Sequence, residues 1–273
     1  MSLTFNAATH RYRLDGKPVT GVTTLIGGGI PKPALNGWYA RQVAEYVENN
    51  PLEVERLRGE PEPTQSNPRS QSALVHALCK VPENTRDQAA ERGTLIHDLG
   101  QRYLEGKQIT IPPIYEPEVM GLVELIESLK LEPLIVEKSL GNRTRRYAGR
   151  VDFIGTSPYL HNGEPVLIDL KTSNGVYGET ALQAAAYARA EFWVDDFDPN
   201  TEHPMPDIAG TYVAHIREGF TELHPLALDS NEIDTQFLEF QYAAYIASNA
   251  KNRAGYLRPA LDLTDLTATK AAY

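Results

Sequence analysis

The run Val166 to Lys171 (Val-Leu-Ile-Asp-Leu-Lys) sets an acid and a base two residues apart in an otherwise apolar segment. In an extended strand, residues two apart share a face. Asp169 and Lys171 therefore point one way, and Val166, Ile168 and Leu170 the other. Charges placed in so apolar a strand are costly unless they are paired or bind something. A buried Asp–Lys pair or a strand end emerging into water is the simple reading; a ligand site is the functional one. A second acid, Asp152, lies among apolar residues in the run Tyr147 to Ile154. If the two strands pair antiparallel across the Asn162-Gly163 loop, Asp152 falls opposite Asp169, where Cβ atoms are about 4.5–5.5 Å apart. Two carboxylates that close repel unless one is protonated or a cation sits between them. A hard divalent ion answers that repulsion, with Lys171 beside it to orient water or offset charge. A turn or N-capping role for Asp152 is the plainer alternative.

Three further groups could join such a site. On a helix expected from Asp87 to Leu104, His97 lies on a stripe of small residues through Ala90, Gly93, Gly100 and Leu104. A satisfied core histidine would look the same. The other six histidines show no paired metal-ligand spacing. Gln183 and Tyr187 are four apart on an alanine-rich helix and share a face, as polar residues of a packing helix also would. Arg143, Arg145, Arg146 and Arg150 lie within eight residues, the densest basic cluster in the chain. Phosphate-backbone contact is one use for it; a solvated hairpin is the other.

The elements that must position these residues follow from local pattern. His10 to Leu14, an Asp15-Gly16 turn and Val19 to Ile26 read as a small β element. Gly27-Gly28-Gly29 then reads as a plain loop, because Pro33 after Lys32 breaks the Gly-Lys-Ser/Thr pattern of a phosphate loop. Helices are expected over 34–49, from about Ser72 and strongly over 87–104, and over 117–130. A loop rich in Pro, Ser, Glu and Asn spans Gly59 to Gln71. Strands follow over 134–140, a Gly141-Asn142 turn, 146–155 and 166–171. Next come a helix over 180–194, a polar loop over 195–207, strands over 208–216 and 220–226, and a helix over 231–249. A helical front followed by β-β-β-α-β-β-α gives an α/β (α+β) fold with a mixed central sheet flanked by helices. The division expected is 1–86, an N-terminal β element and helical region, packed on a core of 87–273.

The chain has 273 residues, 41% hydrophobic and 23% charged, which suits one or two domains with a real core. The net charge is −10, from 26 basic and 36 acidic residues. That argues against non-specific nucleic-acid binding but leaves room for a local basic groove. A single cysteine, Cys79, excludes an intrachain disulfide and a cysteine-ligated iron–sulfur cluster within one chain. No apolar run approaches the length of a membrane helix, and Met1 to Gly16 lacks a signal peptide's apolar core. A soluble cytoplasmic protein with no membrane partner is the expectation.

Taken in order, Arg92-Gly93-Thr94-(x2)-His97, Gly149-Arg150-Val151-Asp152, Asp169-Leu170-Lys171 and Gln183-(x3)-Tyr187 form a recognisable series. It resembles the RecB-like branch of the PD-(D/E)XK nuclease superfamily, which includes Cas4-like and phage exonucleases. The front end, His10-Arg-Tyr-(x2)-Asp-Gly and then Val22-Thr-Thr, is similar to phage members, less specifically. The resemblance implies a restriction-endonuclease-like sheet. It also implies metal ligation by His97, Asp152, Asp169 and the backbone carbonyl of Leu170. Lys171 would orient the nucleophilic water and stabilise the phosphorane, with Gln183 and Tyr187 in support. Glu137 sits where the family often has an acid. Arg92 joins the four hairpin arginines as an expected DNA contact.

The cofactor implied is Mg²⁺ or Mn²⁺, with no iron–sulfur cluster, because Cas4's four cysteines are missing. The implied function is a metal-dependent exonuclease acting on linear single- or double-stranded DNA. Its setting would be phage or bacterial recombination, repair or replication, with a phage recombination or single-strand-binding protein as partner and homo-oligomerisation left open. An endonuclease of the same fold and a non-catalytic DNA-binding protein are the alternatives.

Overall fold

The computed structural model describes residues 3–59 and 72–260. In chain order the elements are β1 (Leu3–Asn6), β2 (Arg11–Leu14), β3 (Lys17–Gly21), α1 (Val22–Gly29), α2 (Pro33–Asn49), α3 (Pro51–Gly59), α4 (Ala73–Leu104), α5 (Glu116–Ser128), β4 (Glu132–Asn142), β5 (Tyr147–Thr156), β6 (Val166–Lys171), α6 (Glu179–Ala188), β7 (Phe192–Val194), β8 (Glu202–Pro204), β9 (Gly210–Arg217), β10 (Phe220–Ala227) and α7 (Ser230–Ser248). The ten strands form one sheet. It is mixed: β3 runs parallel to β5 and β6 parallel to β9, while the remaining pairs are antiparallel. Helices cover both faces, so the α/β class expected from the element order is the one observed.

Strand β6 shows how the sequence divides the two layers. Leu167 packs in a core with α1, α6 and α7, through Leu25, Leu182 and Phe240. Val166, Ile168 and Leu170 pack in the other core, with Ile96 of α4 and Leu122 of α5. Asp169 is on the Leu167 side, which turns it toward α6.

Several expectations need correction. The β-branched run at 22–26 is helical: Val22, Leu25 and Ile26 are the buried residues of α1. Their i, i+3, i+4 spacing lets burial override β propensity. The glycines after them are no loop but the last turn of α1, against α7. A Cβ on Gly29 would lie 2.1 Å from the backbone oxygen of Ala243, so only glycine permits this crossing. The turn expected at Gly141-Asn142 falls one step later, between Asn142 and Tyr147, which pair with each other. The helix expected to reach Val194 ends at Ala188. Phe192 to Val194 instead forms β7 on the edge of β4, as aromatic and β-branched residues favour.

The division expected at 86/87 falls inside α4, which runs unbroken for 32 residues through Pro82. The loop expected over 59–71 lies outside the described residues from 60 onward, as does the tail beyond 260. Among the described residues, no helix is long and apolar enough to cross a membrane.

Candidate metal centre

The site is built at a fork in the sheet. Strand β4 occupies one edge of β5 along most of its length. The other edge is shared: β3 pairs with Tyr147 and Ala148, and β6 with Phe153 to Gly155. Residues 149–152 lie between, with no described strand against them on that side. Continuing the β5–β6 register by one step sets Asp152 across from Asp169, but there the ladder stops. A side chain closes the fork instead: Leu170 N–H donates to Asp152 Oδ2 at 2.7 Å.

Both strands of the β4–β5 pair slip their alternation at this level. Ile135 and Leu140, an odd number apart, pack in the same core, as do Val151 and Ile154. In β4 the slip falls where Glu137 adopts φ +50°, a left-handed conformation that costs a non-glycine residue about 1–3 kcal/mol. The ladder pairs Val136 with Phe153 and Lys138 with Val151, so Glu137 stands across from Asp152. The slip frees both carboxylates from the regular inward–outward pattern and lets them gather at the fork.

Helix α4 supplies the third member. Arg92 fixes it by donating to Glu118 of α5 at 2.5 Å and to the Thr172 carbonyl just beyond β6 at 3.4 Å. One turn on, His97 Nδ1 lies 4.0 Å from Glu137 Oε1 and 3.8 Å from Asp152 Oδ1. The donor atoms of His97, Glu137 and Asp152 all fall within 4.8 Å of one another, a grouping able to hold a metal ion. Burial raises the Glu137 carboxyl to about 7, with Asp152 adding to the effect and Arg150 and His97 opposing it. The Arg150 guanidinium offsets only part of that burial effect.

Asp169 is adjacent but otherwise engaged. It accepts from Gln183 Nε2 at 2.7 Å and lies 2.6 Å from Lys171 Nζ. Burial raises its carboxyl above the ordinary range; Lys171 opposes that shift and Asp152 adds to it. Burial works against the charge on Lys171, but Asp169 and Asp152 outweigh it, and the ammonium is held more firmly than usual. Gln183 also donates to the Tyr187 hydroxyl at 3.3 Å. The Tyr187 ring lies over Gly149, where a Cβ would come within 2.4 Å of it. Gly149 is thus the seat of the tyrosine that backs the glutamine.

The expected site residues therefore divide. His97, Asp152, Asp169, Lys171, Gln183 and Tyr187 are brought together. Glu137, the least certain from sequence, is central. Asp169, expected as a ligand, stands outside the three-donor group, with Gln183 on one oxygen and Lys171 on the other. Leu170 contributes its N–H to Asp152. The arginines do not form one phosphate patch. Arg150 donates to Glu137 at 2.9 Å and pairs both Nη atoms with Asp196 at 3.0 Å. Arg143 is bound by Asp15 and Glu202. Arg92 is a brace. Arg145 and Arg146 are exposed at the hairpin turn, beyond Asn142, which ends β4 five residues and so about 16 Å from Glu137.

Sequence reasoning missed Asp196, whose only signal is the Asp195-Asp196 pair after β7. It also missed a second grouping: the structure gathers His215, Glu222 and His224, whose spacing in the sequence shows no paired metal-ligand pattern.

A cavity of about 1010 Å³ opens over the first cluster, lined by Phe5, Tyr12, His97, Glu137, Asp152 and Asp196 among others. Lys171 lines a separate cavity of about 150 Å³ with Lys32, Ser173, Tyr177 and Gln183. In comparisons with known proteins, no family model matches the chain and no curated protein matches it significantly.

Proposed function

We propose that this chain is a divalent-metal-dependent nuclease that hydrolyses phosphodiester bonds from DNA ends, an exonuclease resembling the RecB-like branch of the PD-(D/E)XK superfamily. One observation carries the reading. Residues as distant in sequence as His97, Glu137, Asp152, Asp169, Lys171 and Gln183, from α4, β4, β5, β6 and α6, meet at one fork.

The donor set fits a divalent cation. It offers one imidazole nitrogen and two carboxylates, and the raised proton affinity of Glu137 comes first from its burial and then from the neighbouring Asp152, both of which a bound cation would offset. Oxygen donors favour Mg²⁺ or Mn²⁺, and the imidazole moves the preference toward Mn²⁺. Such an ion, when bound, relieves charge on a phosphate and makes water a better nucleophile at neutral pH.

The chain's own residues do the rest. Lys171, kept protonated by Asp169, offers N–H donors and a positive charge to a water or a phosphate oxygen. Gln183 fixes the Asp169 carboxylate, and Tyr187 fixes Gln183. Arg150 holds Glu137 in its strained position. Asp98, Asp195 and Asp196 add to the acids lining the large cavity, so a DNA strand is repelled there until cations enter. Arg145 and Arg146, exposed and away from the acids, remain for more distant backbone contacts.

The test is release of mononucleotides from end-labelled linear DNA with Mg²⁺ or Mn²⁺. Wild-type protein degrades the label, whereas Asp152→Asn, folded by circular dichroism, does not. Equal degradation by both proteins, or degradation in excess EDTA, would overturn the reading.

A further inference from the structure

We propose that His215, Glu222 and His224 form a second metal site, selective for a borderline-soft dication of the zinc class and separate from the cluster at the fork. Strands β9 and β10 place the residues. Glu222 is directly across from His215 in their ladder. His224 lies two residues beyond Glu222, and so on the same face. Glu222 Oε2 lies 3.8 Å from His215 Nδ1 and 3.6 Å from His224 Nε2. All three donors fall within 4.8 Å of one another. Tetrahedral zinc with bonds of about 2.0–2.1 Å holds its donors about 3.4 Å apart, so the two Glu222 contacts are within a few tenths of an ångström of that spacing and rotation of the exposed His224 ring brings in the third donor.

An independent observation concerns the proton on His215. This ring is 4% exposed, and its Nε2 lies 2.8 Å from the Ser173 carbonyl oxygen. A carbonyl only accepts, so Nε2 carries a hydrogen, and in the neutral ring the lone pair is then on Nδ1, the atom that faces Glu222. A hydrogen bond to backbone from the distal nitrogen is the usual way a ligating imidazole is oriented. Glu222 and His224 are about half exposed, which leaves room for water as the fourth ligand. Two imidazoles and one carboxylate suit zinc, whereas Mg²⁺ favours an all-oxygen shell.

The location gives the site a consequence. His215 pairs in register with Lys171, and Ser173 is two residues past that lysine. Ligation of His215 would therefore anchor the chain leaving β6. The site stands whether or not the fork cluster belongs to a nuclease.

Zinc titration of the metal-stripped full chain by calorimetry tests the proposal, with His97→Ala removing the fork cluster. His97→Ala should bind one zinc ion per chain, and His97→Ala/His224→Ala should bind it about 100-fold more weakly or not at all. Unchanged affinity in the double variant would overturn the site, as would no binding by a folded His97→Ala chain. Imidazole nitrogen NMR of the wild-type chain gives a readout independent of either variant's folding. Zinc should move the His215 Nδ1 and His224 Nε2 resonances, and resonances left in place would overturn the proposal.

Discussion

The two histidine–carboxylate groupings differ in how they are made. The fork cluster draws one residue each from α4, β4 and β5, half-buries all three, and requires a strained Glu137 and a slip in two strands. The β9–β10 grouping comes from a single hairpin in regular register, with two of its residues open to water. The first gathers half-buried acids, whose burial shifts proton affinities and leaves charge for a cation to neutralise. The second crowds few charges and has ordinary strand geometry. On the proposed reading, a site that does chemistry is separable from one that only holds an ion: the former distorts its scaffold and the latter does not.

The largest test of that contrast is on turnover. Lys171→Ala or Asp152→Asn should lower DNA cleavage on the order of a thousandfold, about 4 kcal/mol of barrier. Substrate-free circular dichroism should change little. A loss below tenfold for either would remove the fork cluster from the chemistry.

The next test is pH. Glu137 is raised to about 7 from the ordinary carboxylate value, so the folded chain binds its proton more tightly than the unfolded chain does. The linked stability is present at low pH and is lost as pH rises through the interval up to about 7. The metal-free melting temperature should therefore fall between pH 5 and pH 8, and the fall should be shallower in Glu137→Gln. Mg²⁺ or Mn²⁺ should raise the melting temperature more at pH 8 than at pH 5. Equal metal effects at both would place the ion elsewhere.

Packing gives a smaller effect. Gly149→Ala drives a methyl group into the Tyr187 ring, and overpacking of this kind costs about 1–3 kcal/mol. Because Tyr187 backs Gln183, cleavage should fall together with melting temperature; cleavage at the wild-type rate in a destabilised variant would separate the tyrosine from the site. The smallest effect is expected for Arg143→Ala, whose partners Asp15 and Glu202 are partly exposed. A slight melting shift that fades with added salt is the expected outcome, with no change in the salt dependence of DNA binding. A reduced salt slope would restore Arg143 as a phosphate contact.

What the sequence disclosed, and what it hid, follows from the range of the forces involved. Strand β6 was legible to the residue because its alternation is local, and so was its antiparallel pairing with β5, whose register continued by one step faces Asp152 with Asp169. The nature of that contact was not: the fork replaces the ladder with a bond from Leu170 N–H to Asp152, and this depends on where β3 ends and β6 begins. Val22 to Gly29 misled because β-branched residues were read by propensity, while the deciding contact is with Ala243, more than two hundred residues away in the chain. The arginine cluster looked basic because Asp15, Asp196 and Glu202 are remote in sequence. His215 and His224 were hidden by a nine-residue spacing that only a hairpin register converts into proximity.

One gel assay tests the central claim most directly. Linear duplex, linear single-stranded and closed circular DNA are incubated with EDTA, Mg²⁺ or Mn²⁺, using wild-type protein and Lys171→Ala. The account predicts metal-dependent loss of linear DNA only, absent from the variant. Cleavage of the circles, or full activity of Lys171→Ala, would contradict it.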